Sequence, residues 1–233
     1  MKTDDLDVVY LLKQGSQGEE LRYSLRSLIN LPHRNVYVFG AKMPWFSDKV
    51  KVIPQVQFGT SKWERSNYSF ISACKDKEVS DNFILMNDDF FIMQPCEKLE
   101  YFYDGQLKKR IIRLDKKFRY ISSYSKMLSE VEELLKMSGK STLNYTLHIP
   151  MIFNKQKCLE LKELFPNMVI GRSLYANYYQ VGGVERPDCK IYQTYGRPNA
   201  NLDFVSTMDA TFRSGEVGRM IKQRFKEKSI YER

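Results

Sequence analysis

Short apolar runs alternate with amphipathic segments in the first half of the chain. Leu21, Leu25 and Leu28 recur at helical spacing after Glu19, and Pro32 follows as a helix stop. The pattern predicts strands at 7–12, 36–40, 50–56 and from 83 onward, with helices at 19–31 and 63–77. Strand, helix and strand at this spacing favour an α/β fold with a mostly parallel central sheet and helices on both faces.

The second half has a less regular pattern. A strand piece is predicted at 110–113, within a mixed stretch from 101 to 124. Helices are predicted at 126–136, 158–165, 173–179 and 213–228. We expect a single domain over residues 1–233, because neither an internal repeat nor a linker interrupts the chain.

The most informative stretch is an apolar strand that runs directly into Asn87-Asp88-Asp89 and continues with Phe90 and Phe91. In open α/β sheets, ligands bind outside the carboxyl ends of such strands. Adjacent carboxylates repel each other unless a cation lies beside them, and Mg²⁺ that carries substrate phosphates is held by one or two carboxylates. Asp88 and Asp89 therefore predict an Mg²⁺ or Mn²⁺ site for a nucleotide diphosphate. The alternative is an acidic turn that caps the next segment.

Composition narrows the class of protein. At 233 residues with 42% hydrophobic residues, the chain is long and apolar enough to bury a sizeable core. No apolar stretch approaches the roughly 18–20 residues of a bilayer-spanning helix, and no signal-peptide pattern precedes the first strand, so a cytoplasmic protein is expected. Cys74, Cys96, Cys158 and Cys189 lack metal-site spacing, which favours reduced thiols.

The chain is strongly basic. Its net charge of +9 and pI near 9.2 favour an anionic partner such as nucleic acid, a nucleotide diphosphate, a membrane surface or a charged glycan. Much of the excess lies at 108–119 and 213–233. Charge runs of this kind also occur as solvated faces, so the charge alone does not identify the partner.

Two kinds of side chain suit chemistry at a phosphate. Arg22 and Arg26 lie four residues apart on one predicted helix face, and a guanidinium matches phosphate oxygens. The alternative for both arginines is an exposed face paired with Glu19 or Glu20. A histidine accepts a proton from a hydroxyl near neutral pH, which makes His148 a candidate general base.

Sequence blocks along nearly the whole chain resemble those of one family. The matching segments are Asp7–Tyr10, Glu19–Leu28, Asn35–Val38, Pro44–Phe46, Phe83–Phe91, His148–Pro150, Arg172, Asp209 and Ser229–Glu232. With them the chain resembles a compact member of the Stealth family, whose members transfer sugar 1-phosphates from nucleotide sugars to glycan acceptors. It departs from the family at 13–18, where an acidic Asp-Gly-Ser-Asp turn is replaced, and at Met208, where the family has asparagine.

The resemblance implies a GT-A-like transferase that uses a nucleotide-diphosphate sugar as donor and Mg²⁺ or Mn²⁺ as cofactor. The site residues it implies are His148 as base, Asp88 and Asp89 at the cation, Arg172 at the reacting phosphate, and Arg22, Arg26, Asn67 and Glu20 at the donor. For Asn67, a polar position on the helix surface is the alternative. Residues 1–100 would form the donor and metal half, and 101–233 the acceptor and catalytic-base half.

Several functions remain open at this point. The family implies transfer of a glycosyl 1-phosphate, whereas the same donor site would support glycosyl transfer if the acceptor hydroxyl attacked carbon. The acceptor is a glycan in the family, and the basic charge keeps open a hydroxylated base in DNA, presented single-stranded or flipped out of the duplex. A protein that binds a nucleotide or nucleic acid without catalysis is a further alternative, because the acidic turn of the first block is missing.

Overall fold

The computed structural model describes residues 2–56, 58–195 and 202–233. The chain folds into two compact units. The first comprises Met1–Leu99, His148–Lys155 and Cys189–Arg233, and the second comprises Glu100–Leu147 and Gln156–Asp188. The predicted assignment of donor chemistry to residues 1–100 and acceptor chemistry to 101–233 stays a prediction.

The described residues form helices and strands along most of their length. The strands are β1 (Asp7–Leu12), β2 (Val36–Gly40), β3 (Val50–Pro54), β4 (Asn82–Met86), β5 (Phe90–Ile92), β6 (Phe102–Tyr103), β7 (Met151–Asn154), β8 (Val184–Glu185), β9 (Lys190–Ile191) and β10 (Phe204–Thr207). The helices are α1 (Glu19–Ser27), α2 (Lys62–Lys75), α3 (Leu107–Phe118), α4 (Ser123–Met137), α5 (Lys155–Leu164), α6 (Arg172–Tyr178), α7 (Asp209–Ser214) and α8 (Glu216–Arg224). None of these helices has the length and continuous apolar character needed to cross a bilayer.

The first unit is built around a five-stranded sheet in the order β3-β2-β1-β4-β7. Its first four strands are parallel, and β7 pairs antiparallel with β4 at one edge. Val8 and Val9 of β1 and Val36 and Val38 of β2 are fully buried, as expected for strands covered on both faces. The predicted α/β class with a mostly parallel central sheet is therefore confirmed.

A smaller sheet in the same unit, ordered β5-β10-β9, carries a second apolar cluster. The ring of Phe91 in β5 stacks on that of Phe212 in α7 with centroids 5.6 Å apart, and Val205 and Ile221 pack beside them. Only residues 87–89 separate β4 from β5. The acidic turn therefore carries the chain from the large sheet into the small one.

The strand predicted at 110–113 is wrong, because these residues lie within α3 in the second unit. Leu107, Ile111 and Leu114 are buried at helical spacing on one face of α3. These apolar residues repeat every three to four positions, whereas Ile111 and Ile112 resemble a strand only when residues 110–113 are considered alone. Burial of the longer apolar stripe selects the helix.

Two predicted helices are shorter than expected. The helix at 19–31 is α-helical only to Ser27 and continues as a 3₁₀ turn over Leu28–Asn30. The helix predicted at 213–228 is two helices, α7 and α8, which meet at Gly215. A Cβ atom on Gly215 would lie 2.4 Å from the carbonyl oxygen of Thr211, so the close approach of backbone at this corner requires glycine.

A buried ion pair anchors the C-terminal segment. Nε and Nη2 of Arg26 donate to the carboxylate of Glu232 at 2.7 and 2.8 Å, and Nη1 donates to the carbonyl oxygens of Phe225 and Lys226. The side chains of Arg26 and Glu232 are only 9% and 2% exposed. Burial opposes ionisation of Glu232, but the hydrogen bonds from Arg26 and Ser229 and the charges of Arg26 and Arg22 together outweigh it, so the pKa of Glu232 lies below its ordinary value.

Replacing this carboxylate should destabilise the fold. We expect Glu232→Gln to lower the free energy of unfolding by about 3 kcal/mol at pH 7, because it leaves the Arg26 charge buried without its partner. The pKa of Glu232 is lowered on folding, so its contribution is complete above the ordinary glutamate value of 4.5 and is lost as the pH falls through the lower folded pKa. Urea unfolding at pH 7 and at acidic pH measures both effects.

Glu227→Gln is the matched control, since the Glu227 side chain is 86% exposed and lies 3.7 Å from Lys226. It should change the stability by less than about 1 kcal/mol. Equal losses in the two variants would contradict the anchoring role.

Candidate active site

The loop that follows β1 forms one wall of a cavity in the first unit. Lys13–Gly18 connects β1 to α1, and Gly18, the residue before the helix, has a φ of 69°. A Cβ atom there would lie 2.7 Å from Sδ of Met43, so both the backbone conformation and the space favour glycine. The chain thus turns tightly from the strand end into the first turn of the helix, where Glu19 and Glu20 lie.

The cavity lies outside the carboxyl ends of β1 and β4. It encloses about 340 Å³ and is lined by Lys13, Gly15, Ser16, Gln17, Gly18, Glu19, Glu20, Asp88, Asp209, Phe212 and Arg213. After β1 the chain proceeds to β2 on one side, and after β3 it returns to β4 on the other side of β1. The cavity is therefore at the switch point of the sheet, which is where open α/β sheets bind ligands.

Carboxylates from three elements crowd this cavity. Burial is the main cause that raises the pKa of Asp88 to about 6, and the charges of Asp89 and Asp209 add to it. Burial also raises the pKa of Glu20 to about 8, against a hydrogen bond from Thr207 and with the same aspartates adding to the rise. Burial and the neighbouring carboxylates thus both oppose ionisation of Asp88 and Glu20.

One resident cation contacts the acidic pair. Nζ of Lys190, at the start of β9, donates to Oδ2 of Asp89 and to the carbonyl oxygen of Thr207. The hydroxyl of Ser206 donates to the same Oδ2 at 3.2 Å, and that of Thr207 donates to Glu20 at 2.9 Å. The small sheet therefore fixes both Asp89 and Glu20 through hydrogen bonds.

The residues of the acidic turn fit a divalent cation. Within the described ranges, no three His, Cys, Asp or Glu side chains group closely enough to hold a metal ion. Mg²⁺ at a nucleotide site needs only one or two carboxylates, since substrate phosphates complete its ligands. Oδ1 of Asp89 is buried without a hydrogen-bond partner, and burial, with the charges of Asp89 and Asp209 adding to it, raises the pKa of Asp88. A cation bound beside these oxygens would satisfy the Asp89 oxygen and favour the ionised form of Asp88.

His148 lies at the same end of the sheet as the acidic turn. Leu85 of β4 pairs with Met151 of β7, so the residues just before β7 lie beyond the carboxyl end of β4. The His148 ring packs edge to face against Phe90, with centroids 6.1 Å apart, and the thiol of Cys189 donates to the His148 carbonyl oxygen at 3.0 Å. His148 is not among the residues that line the described cavity. Its role as general base stays a prediction.

The two arginines of α1 contact the C-terminal segment. Arg26 is held by Glu232, as described above, and Arg22 lies 3.5 Å from the same carboxylate. The Arg22 guanidinium also lies over the Trp45 ring, 4.7 Å from its centroid, and its side chain is 37% exposed. The carboxylate that pairs with both arginines is Glu232, whereas the sequence suggested Glu19 or Glu20 as the alternative to phosphate. Phosphate binding by either arginine stays a prediction.

Two further predicted residues are not among those that line the cavity. Asn67 is 7% exposed on the inner face of α2, so it is not a polar position on the helix surface. Arg172 is the first residue of α6 and belongs to the second unit. Their predicted roles at the donor and at the reacting phosphate are not tested by these positions.

The sequence did not single out several residues of this site. Lys190 is an isolated lysine that begins the two-residue strand β9, and no sequence pattern indicates its contact with Asp89. Lys13 and Arg213 line the cavity from segments about 200 residues apart, which only the fold brings together. Asp209 had a signal, because it matched the fourth block of the Stealth resemblance at the start of α7.

Comparisons with known proteins add little to the identity of the chain. No protein-family model matches it, and neither does any curated protein. The resemblance to the Stealth family therefore rests on the quoted blocks alone.

Several solved glycosyltransferases share some of the fold. Galactosyltransferase LgtC, solved with donor and acceptor sugar analogues, has a TM-score of 0.48 and 10% identity, with 96% of each chain covered. Glycosyltransferase GlyE of Streptococcus pneumoniae TIGR4 has a TM-score of 0.35 and 12% identity over 58% of this chain, which spans 44% of GlyE. Mouse xyloside xylosyltransferase 1 has a TM-score of 0.30 and 9% identity, covering 98% and 96% of the two chains. No inference about activity follows from likenesses of this size.

The crowded carboxylates predict a pH-dependent cost in stability. The pKa of Asp88 is raised from 3.8 to about 6 on folding, so the wild type loses stability as the pH rises through this range. We expect Asp88→Asn to stabilise the protein by about 1–2 kcal/mol at pH 7 and to leave it unchanged near pH 4, where the wild-type carboxyl is protonated. Urea unfolding at both pH values measures the difference.

Asp48→Asn, at an exposed position that does not line the cavity, should have no such effect at either pH. A destabilised Asp88→Asn variant at pH 7 would show that the Asp88 charge is compensated in the folded protein.

Proposed function

We propose that the protein is a nucleotide-sugar-dependent transferase of GT-A-like architecture, which moves a glycosyl or glycosyl 1-phosphate group to an acceptor hydroxyl. One observation carries the proposal: the cavity at the switch point of the parallel sheet is lined by Asp88, Glu20 and Asp209 next to a glycine-containing loop. Its volume of about 340 Å³ lies within the range of small-molecule sites.

The charges of the cavity suit the donor. Lys13 and Arg213 supply cations to the cavity lining, and both are exposed enough to reach a diphosphate. Gly15 and Gly18 line the cavity, so a bound ligand can approach the backbone of this loop closely. Carboxylates in excess of those at a cation would accept hydrogen bonds from sugar hydroxyls, as Glu20 accepts one from Thr207.

Asp88 and Asp89 would hold the divalent cation, with Lys190 and Ser206 fixing the carboxylate of Asp89. An Mg²⁺ or Mn²⁺ ion bound there would offset charge that develops on the departing phosphate oxygens. Lys13 and Arg213, which line the same cavity, bind and orient the diphosphate. His148, at the carboxyl end of the neighbouring strand β4, takes the proton from the acceptor hydroxyl.

Two reaction outcomes fit this site. The Stealth resemblance favours attack of the acceptor at the β-phosphorus, which releases a nucleoside monophosphate. Attack at the anomeric carbon is simple glycosyl transfer and releases a nucleoside diphosphate. The same donor site serves both, so the product nucleotide distinguishes them.

A donor-hydrolysis assay tests the proposal without knowledge of the acceptor. The purified protein should slowly release nucleotide from one member of a panel of nucleotide sugars in the presence of Mn²⁺, with water as acceptor. Asp88→Asn should reduce this rate by at least about tenfold, whereas Asp48→Asn should not. Chromatography of the nucleotide product separates monophosphate from diphosphate. A wild type that releases no nucleotide and binds none would overturn the proposal.

The role of His148 has its own test. His148→Ala should lower kcat of donor hydrolysis by about 10²–10⁴-fold, because proton transfer is lost, while the donor Kd stays unchanged. Equal changes in kcat and Kd would instead indicate a role in holding the donor. An unchanged kcat would remove His148 from the mechanism.

A further inference from the structure

The outward face of α3 in the second unit is almost entirely cationic. Positions 108, 109, 112, 113, 116 and 117 follow the helical period and lie on one side of the helix. They are occupied by Lys108, Lys109, Ile112, Arg113, Lys116 and Lys117, and each of them is exposed. The opposite side carries the buried Leu107, Ile111 and Leu114. We call the six outward positions the α3 basic face.

The helix itself contains one acidic residue against the five cations of this face. Arg113 pairs with Asp104 at 2.9 Å, and that arginine is itself 54% exposed. The one acidic residue of α3, Asp115, lies off the basic face. Arg119 follows at the helix end with a φ of 57°, and Tyr120 after it is 63% exposed. A cationic row therefore ends in an accessible aromatic ring.

The row of like charges lowers the stability of α3, and the need for a soluble surface does not account for it. Like charges four residues apart, such as Lys109 with Arg113 and Arg113 with Lys117, destabilise a helix by about 0.2–0.5 kcal/mol per pair. Interspersed charges of both signs give a soluble surface without that cost. A single-sign face is expected where it meets an anionic partner.

We propose that the α3 basic face binds the phosphate backbone of a nucleic acid. Successive cations on one side of the helix rise by about 6 Å, so several of them contact phosphates of one strand together. A pI near 9.2 with cations clustered along one helix is the electrostatic footprint of nucleic-acid binding. The Tyr120 ring offers a stacking surface for an unpaired base.

The placement of apolar residues favours nucleic acid over a membrane surface. An interfacial membrane helix inserts its apolar face into the lipid. In α3 that face, with Leu107, Ile111 and Leu114, is buried in the protein instead. Ile112 is the single apolar residue of the basic face and is 44% exposed, which gives little area for insertion. The inference does not depend on the proposed donor chemistry.

Binding of a labelled DNA oligonucleotide, single-stranded and as a duplex, tests the inference by fluorescence anisotropy across a salt series. The wild type should bind at least one form with an affinity that falls steeply with salt, because phosphate contacts release counterions. The triple variant Lys108→Gln, Lys109→Gln, Lys116→Gln should bind at least about tenfold more weakly and reduce the slope of log Kd against log salt by about 2–3, roughly one per lost contact.

The matched control is Lys42→Gln, Lys49→Gln, Lys75→Gln, which removes the same charge from exposed positions of the first unit. It should bind DNA with nearly wild-type affinity and slope. Equal weakening in both triple variants would overturn the inference in favour of a diffuse effect of net charge.

Absence of DNA binding by the wild type would also overturn the inference. So would a basic face that binds phosphatidylserine vesicles but neither form of DNA. Donor hydrolysis is measured separately in the α3 triple variant, so a failure of the proposed transferase activity is distinguishable from a failure of nucleic-acid binding.

Discussion

Burial and mutual repulsion of carboxylates at the carboxyl ends of β1 and β4 are together the constraint on which the candidate site depends. The sheet order places the first turn of α1 beside the turn that follows β4, so Glu20 and Asp88 approach each other together with Asp209. Burial and mutual charge raise the pKa values of Asp88 and Glu20 well above their ordinary values. A fold selected only for stability would place apolar or neutral side chains there. Strongly perturbed pKa values of this kind cluster at functional sites, where a ligand or cation can offset the charge.

The surrounding structure holds the carboxylates in place despite this repulsion. Lys190 donates to Asp89, while Ser206 and Thr207 donate to Asp89 and Glu20 from the small sheet. That sheet is stabilised by an apolar cluster in which Phe91 of β5 packs against Phe212 of α7. Hydrogen bonds from the small sheet thus hold the carboxylates of Asp89 and Glu20 in position. Asp7 at the opposite end of β1 differs, because it is fully buried and accepts hydrogen bonds from Arg34, Asn35 and Ser80 in a structural role.

Much of the fold could be predicted from the sequence, because buried parallel strands produce continuous apolar runs. The runs at β1, β2 and β4 and the stripe of Leu21, Leu25 and Leu28 indicated the central sheet and α1 correctly. The strand assigned to 110–113 failed because a four-residue window does not distinguish two buried faces from one helical stripe. The interruption at Gly215 depends on contact with Thr211, which no local pattern reports.

The candidate site was predictable only in part, for a related reason. Asp88 and Asp89 interrupt an apolar run, so the sequence alone indicates their chemistry. Lys190 and Arg213 join them only through long-range pairing of β10 with β5 and β9 and through the position of α7. The spacing of the α1 arginines suggested phosphate binding, yet Arg26 forms an ion pair with a C-terminal glutamate about 200 residues away. Such partners emerge from tertiary structure alone.

Calorimetric titration with nucleoside diphosphates, with and without Mn²⁺, tests the central claim most directly. The account predicts that one nucleoside diphosphate binds in a cation-dependent manner and that Asp88→Asn abolishes the dependence on Mn²⁺ while Asp48→Asn preserves it. Binding that is equal with and without the cation, and equal in wild type and Asp88→Asn, would show that the crowded carboxylates do not hold a metal-bound diphosphate.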